Sequence, residues 1–205
     1  DPGYTYLDNW FDDNGYSLDA QTDYIGYNSS DPDPYYWTSA LNDVEIVLEI
    51  AGYKDQTAFG YYLESDSAAK TEVFGGPDGA GDIKTINVGE PFGFYIYSPV
   101  NNWTYWYTDR FMNYSSQSQH SEANEDEGDA QALIYELSPG YEWLIAWEDL
   151  DATANGCWHN TDNDYQDMFV KVTAVVPEPS SLILLGSGLL GFAGFGLKGI
   201  RRKKA

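Results

Sequence analysis

Apolar and polar residues alternate in short stretches along most of this chain, and that period of two restricts the fold more than any other feature. Residues 44–51 read Val-Glu-Ile-Val-Leu-Glu-Ile-Ala, so that every second side chain from Val44 is apolar. Residues 168–174 repeat the pattern. An extended strand with one buried face produces this period, whereas an amphipathic helix has a period of 3.6 residues. Helical periodicity is hard to find in residues 1–176, so the pattern predicts a β-protein.

Turn-forming residues divide the body of the chain into short strands. Clusters of Gly, Pro and Asp, such as residues 75–81, tolerate the positive φ angles that tight turns require. The predicted strands are 44–50, 60–64, 72–74, 83–87, 92–97, 103–107, 132–137, 141–147 and 167–176. Short strands without a βαβ rhythm indicate an all-β fold, an antiparallel β-sandwich of the jelly-roll type. We therefore expect an acidic, Tyr- and Asp-rich segment over 1–37 that is partly edge strand, and a sandwich domain over 38–176.

Charge separates the body of the chain from its tail. Residues 1–176 contain 32 acidic and 5 basic side chains, a net charge of −27, whereas residues 177–205 contain 1 acidic and 5 basic side chains, a net charge of +4. A body this acidic repels phosphate backbones, which excludes nucleic acid as a partner. Carboxylates at this density indicate bound divalent cations or a solvated surface. The single cysteine, Cys157, excludes an internal disulfide framework.

The tail reads as a membrane-competent signal. Pro177, Glu178 and Pro179 precede a 16-residue apolar run over 182–197, which contains five glycines. A stable span needs about 20 apolar residues, so this run is short but can enter a membrane as a single hydrophobic helix. A basic cluster follows the run: Arg201, Arg202, Lys203 and Lys204. The positive-inside bias holds such a cluster in the cytoplasm, and the body then lies outside.

This order of parts resembles the C-terminal signal of PEP-CTERM proteins. The resemblance covers residues 177–205 and implies recognition of the tail by an exosortase, a membrane-embedded cysteine transpeptidase or protease, followed by removal of the tail. It also implies export through an inner-membrane-anchored intermediate to the cell surface or the extracellular space. Because export requires a leader, we expect that a signal peptide preceded Asp1.

Acidic residues form two groups that the predicted strands bring together. Glu148, Asp149 and Asp151 follow the strand that ends at Trp147. Three further carboxylates approach the strand over 167–176: Asp162, Asp164 and Asp167. Antiparallel pairing of the two strands brings these groups face to face, where they repel unless a cation neutralises them. Hard cations take six to eight oxygen ligands, so the six residues are candidate Ca²⁺ ligands, with a solvated acidic turn as the alternative.

The body resembles an uncharacterised β-domain of secreted and PEP-CTERM proteins. The similarity covers residues 38–176, and its most specific part is Glu-Asp-Leu at 148–150 with Asp-x-Asp-Tyr-x-Asp at 162–167. Relatives often carry Asp-His where this chain has residues 128–131, and an insert over 152–160 lengthens the acidic loop. The resemblance implies a location outside the cell and a bound ion, and it implies no reaction.

These sequence patterns are compatible with three classes of function for the protein. No nucleophile elbow, phosphate loop or zinc-protease motif occurs in the sequence, so we expect no enzymatic activity. We favour a calcium-stabilised protein of the surface or the extracellular matrix. Binding of exopolysaccharide is one alternative, because Trp103 and Trp106 are candidates for an aromatic glycan platform, although core packing accounts for about half of the aromatic rings in this stretch. Self-association into a filament is the other.

Overall fold

A computed structural model describes residues 4–25, 35–49, 56–98, 104–113, 131–148 and 165–175. All of the described residues belong to one compact unit, which spans residues 1–175. The described helices are α1 (Tyr4–Asn14) and α2 (Arg110–Asn113). The described strands are β1 (Tyr24–Ile25), β2 (Leu41–Glu49), β3 (Ala58–Leu63), β4 (Asp66–Phe74), β5 (Ile83–Asn87), β6 (Phe92–Ser98), β7 (Thr104–Tyr107), β8 (Ala132–Ser138), β9 (Glu142–Trp147) and β10 (Met168–Ala174).

The strands form two antiparallel sheets, which confirms the predicted β-sandwich. A six-stranded sheet has the order β1-β8-β9-β10-β2-β5, and a four-stranded sheet has the order β4-β3-β6-β7. The chain crosses between the sheets from β2 to β3, from β4 to β5, from β5 to β6 and from β7 to β8. Strands β8, β9 and β10 instead form a meander within one sheet. The predicted C-terminal helix and the acidic residues 149–164 lie outside the described residues.

Aromatic side chains fill the space between the sheets. The inner face of the four-stranded sheet contributes Phe59, Phe94 and Trp106, and the six-stranded sheet contributes Trp143 and Trp147, all buried. Rings meet across the gap, with Phe59 and Trp147 in an edge contact at a centroid distance of 6.2 Å. Edge-to-face pairs of this kind stabilise a core beyond the area that they bury. The alternation seen in the sequence therefore corresponds to one buried face on each sheet.

Helix α1 covers the outer face of the six-stranded sheet, which the sequence pattern did not indicate. Its apolar positions Leu7 and Phe11 lie four residues apart and are fully buried in a second core, with Phe169 of β10. The helix ends in a Schellman motif at Gly15, whose φ is 80°. In that motif the amide of Tyr16 donates to the carbonyl of Phe11 at 2.8 Å. The N-terminal segment thus adds a third layer as well as the short edge strand β1.

Tyrosines cover part of the outer face of the four-stranded sheet. Tyr62 is the cross-strand partner of Gly93, and Tyr95 is the cross-strand partner of Gly60. Each tyrosine ring lies over its partner glycine, so that a Cβ at Gly60 would meet the Tyr95 hydroxyl at 2.6 Å and would also collide with the carbonyl oxygen of Thr71. Aromatic rings laid over glycines are a known way to protect such positions in sheets.

Replacing Gly60 with Ala tests this packing. We expect Gly60→Ala to lower the free energy of unfolding by about 1–3 kcal/mol, because the new methyl group overpacks against the backbone oxygen of Thr71, which cannot rotate away as the end of a flexible side chain can. Urea denaturation measures the change. Gly89→Ala is the matched control, because a Cβ there meets nothing within 4 Å and the residue has no positive φ. Equal stabilities of the two variants would contradict the tyrosine-over-glycine arrangement.

Candidate functional sites

Strands β9 and β10 border the segment 148–167, which contains the six predicted ligands and is called the acidic hairpin below. These two strands pair as the calcium hypothesis requires. In the β9–β10 register Met168 lies opposite Trp147. The amide of Asp167 donates to the carbonyl oxygen of Trp147 at 3.2 Å. Glu148 directly follows Trp147, so Glu148 and Asp167 are placed at the same end of the six-stranded sheet. The other four predicted ligands, Asp149, Asp151, Asp162 and Asp164, lie outside the described residues.

Glu148 is the more deeply buried of these two carboxylates. Its residue is 1 % exposed, and its amide donates to the carbonyl oxygen of Gln131 at 3.0 Å, which extends the β8–β9 ladder. A buried carboxylate requires compensation by hydrogen bonds or by a cation, because the charged form loses hydration. Within the described residues, no group of three or more His, Cys, Asp and Glu side chains is placed to hold a metal ion. A complete ligand set therefore needs the carboxylates of the segment 149–164.

Tyr165 lies shortly before the start of β10 and has an unusual backbone conformation. Its φ is 50°, a left-handed backbone conformation that residues other than glycine rarely adopt. Its side chain is buried in the second core. A non-glycine residue in this conformation costs free energy and persists where the surrounding structure fixes it. The backbone bend thus lies two residues before Asp167, in the segment that the sequence motif 162–167 had singled out.

The aromatic stretch at β7 is divided between the core and the surface. Trp106 is 3 % exposed and belongs to the inter-sheet core, because it lies on the inward face of β7. It is therefore not at the surface as a glycan platform. Trp103 lies outside the described residues. The outward face of β7 carries Tyr105, which is 39 % exposed, and Tyr107.

The outward tyrosines form a cluster with a lysine. The Tyr97 and Tyr105 rings lie 4.5 Å apart between centroids. The Lys70 ammonium lies 4.7 Å from the Tyr105 ring centroid and 5.2 Å from that of Tyr107, within cation–π range. Burial, with the nearby Glu72 carboxylate as a further cause, raises the pKa of Tyr95 to about 12. This face is compact and already holds its own cation.

Asp109 is a buried carboxylate that sequence reasoning did not single out. It is 7 % exposed, and the Tyr36 hydroxyl donates to its Oδ2 at 2.9 Å. Burial, with the Asp109 hydrogen bond and charge as further causes, raises the pKa of Tyr36 well above its usual range. The pair joins the end of β7 to the segment that precedes β2. Residues 36 and 109 are far apart in sequence, so only the fold reveals the pair.

A cleft lies where α1 meets the six-stranded sheet. It has a volume of about 280 Å³ and is lined by Trp10, Asn14, Tyr16, Glu45 and Lys171, among others. Lys171 of β10 and Glu45 of β2 form an ion pair at 2.8 Å. The Tyr16 hydroxyl donates to Glu142 Oε2 at 3.0 Å, and burial followed by this bond raises the pKa of Tyr16. None of these residues was a candidate from the sequence, because their proximity depends on the placement of α1.

Comparison with known families identifies the tail. Residues 175–203 match the PEP-CTERM protein-sorting motif, which confirms the predicted sorting signal and implies an exported protein that an exosortase recognises and that is sorted through the membrane. The resemblance of the body to an uncharacterised β-domain is not confirmed. No curated protein and no solved structure matches the chain. Among the described residues, which exclude the apolar run of the tail, no helix is long and apolar enough to cross a membrane.

The sorting motif leads to a prediction about the mature protein. We expect the intact mass of the protein released by its host to lack the residues that follow Pro177-Glu178-Pro179. Changing Pro177 and Pro179 together to Ala should leave the full-length chain in the membrane fraction, because the recognised tripeptide is lost. Ser187→Ala, inside the apolar run, is the control that keeps the tripeptide. Recovery from the medium of wild-type chains that still end at Ala205 would refute the cleavage.

Proposed function

We propose that this protein is a non-enzymatic component of the cell surface or the extracellular matrix, and that Ca²⁺ bound at the acidic hairpin stabilises its sandwich. The sorting motif at 175–203 implies that the protein is exported. Millimolar calcium is common outside cells, and extracellular modules typically bind it with dissociation constants of about 10⁻⁴–10⁻³ M. A weak site of this kind suits a protein that folds in that environment.

The β9–β10 register is the observation that supports the site. It places Glu148 and Asp167 at one end of adjacent strands, with the Glu148 side chain withdrawn from water. The segment between these residues carries four further Asp residues that the sequence motif predicts as ligands: Asp149, Asp151, Asp162 and Asp164. If these carboxylates converge, their mutual repulsion opposes the pairing that the backbone makes. A hard cation with six to eight oxygen ligands removes that opposition.

The proposed role requires calcium to bind the folded state and not the unfolded chain. The free energy of unfolding then rises by RT ln(1 + [Ca²⁺]/Kd), which is about 2.7 kcal/mol at a hundredfold excess over Kd. We expect millimolar calcium to raise the melting temperature and an excess of chelator to lower it. Differential scanning calorimetry in the two buffers measures the difference.

Neutral variants distinguish an ion site from a general loss of stability. Asp167→Asn and Asp164→Asn should each reduce the stabilisation by calcium, because a ligand charge is lost. In chelator the same variants should be at least as stable as the wild type, because repulsion among the carboxylates falls. Asp12→Asn on the exposed surface of α1 is the matched control and should keep the full calcium response. Identical wild-type melting curves in calcium and in chelator would leave the hairpin as a solvated acidic turn.

A further inference from the structure

A stacked pair of aromatic rings borders the cleft beside α1. The rings of Trp10 and Tyr16 are nearly parallel, with an interplanar angle of 12° and a centroid distance of 5.7 Å. Trp10 also makes edge contacts with Phe11 and with the fully buried Phe169 of β10. Tyr16 is held at its other end by the hydrogen bond to Glu142. Because the fold already fixes both rings, little side-chain conformational entropy is lost when a ligand contacts them.

Polar groups with unused hydrogen-bonding capacity line the rest of the cleft. The Lys171 and Glu45 side chains are 27 % and 26 % exposed, so their ion pair remains accessible. An ammonium has three donors and a carboxylate has several acceptor sites, of which the pair uses one each. The Asn14 side-chain amide donates to the carbonyl oxygen of Trp10 at 2.8 Å, and its own oxygen can accept. Donors and acceptors therefore stand within one small space.

The charges of this cleft favour a neutral ligand. Lys171 and Glu45 compensate each other at 2.8 Å, so a charged ligand would have to compete with an existing ion pair. The body as a whole has a net charge of −27 over residues 1–176, which repels anions. A ligand with hydroxyl groups can instead both donate to Glu45 and accept from Lys171 while the ion pair stays intact.

We propose that this cleft binds a neutral pyranose unit of a polysaccharide. A pyranose offers a face of C–H groups to the outer side of the Trp10–Tyr16 stack and a rim of hydroxyl groups to Lys171, Glu45 and Asn14. The volume of about 280 Å³ lies just below the range of about 300–1,000 Å³ for small-molecule sites, which suits one sugar residue better than a larger ligand. This site is independent of the proposed calcium site, which uses other residues.

The tyrosine cluster on the opposite sheet is the rival glycan surface. Its exposed ring, Tyr105, is already covered in part by the Lys70 ammonium at 4.7 Å. Its neighbours Tyr97 and Tyr107 pack against it. A sugar would have to displace the lysine before it could stack there, whereas the α1 cleft combines aromatic and polar groups without such a displacement.

Calorimetric titration of the purified full-length protein tests the site. The probes are the neutral hexasaccharides cellohexaose, maltohexaose, mannohexaose and xylohexaose, with a hexauronate as the anionic probe. We expect binding of at least one neutral probe. Trp10→Ala should weaken it by about thirtyfold or more, which is the loss typical of a central aromatic contact. Lys171→Gln and Glu45→Gln should each weaken it by about five- to hundredfold, because a ligand hydroxyl loses a charged partner.

The variants also separate the two surfaces and control for folding. Tyr105→Ala should leave the affinity unchanged within about twofold, since the ring lies on the other sheet. Lys171→Gln and Glu45→Gln remove a partly exposed ion pair that contributes little to stability, so their melting temperatures should stay close to that of the wild type. Failure of all four neutral probes to bind at millimolar concentration would overturn the proposal. Binding that survives Lys171→Gln but is lost in Tyr105→Ala, or binding of the hexauronate alone, would overturn it as well.

Discussion

The pairing of β10 with β9 and β2 is the interaction on which the rest of this structure depends. One face of β10 places Val170 and Val172 in the aromatic core between the sheets, and the other face places Phe169 under α1 and Lys171 in the cleft. The strand begins beside the acidic hairpin and ends next to the sorting motif, which starts at residue 175. A break in this one strand would therefore disturb both cores and both proposed sites.

The outer faces of the two sheets are covered in different ways. A sandwich has two outer faces, and apolar side chains on such a face are exposed to water unless another layer or neighbouring side chains cover them. Helix α1 covers the six-stranded sheet through a second apolar core. Tyrosines laid over Gly60 and Gly93 cover the four-stranded sheet with side chains of its own strands. Trp10 and Asn14 of this helix, together with Tyr16 after it, line the cleft. This difference explains why an aromatic-rich sequence has an aromatic cleft on one side and a closed tyrosine surface on the other.

Much of the sandwich could be predicted from the sequence, because each strand with one buried face carries a period of two. The bounds of β5 agree with the prediction at both ends, and β2, β3 and β9 agree within three residues. Strand β4 begins at Asp66, six residues before the predicted start, because its first residues are exposed on both faces and carry no alternation. Helix α1 was missed because Asp and Asn surround its few apolar positions. The cleft could not be predicted, since Tyr16 and Glu142 meet across 126 positions of sequence.

The central claim is that a cation at the acidic hairpin holds β9 and β10 together, and amide hydrogen exchange at the hairpin tests it most directly. The amides of Glu148 and Asp167 donate to Gln131 and Trp147 at the end of the sheet, so they report opening of that end alone. We expect exchange at both amides to be slower in millimolar calcium than in chelator. The slowing should exceed that at the Phe94 amide, which lies in the other sheet and donates to Thr108 Oγ1. Equal exchange of the Glu148 and Asp167 amides in the two buffers would contradict the claim.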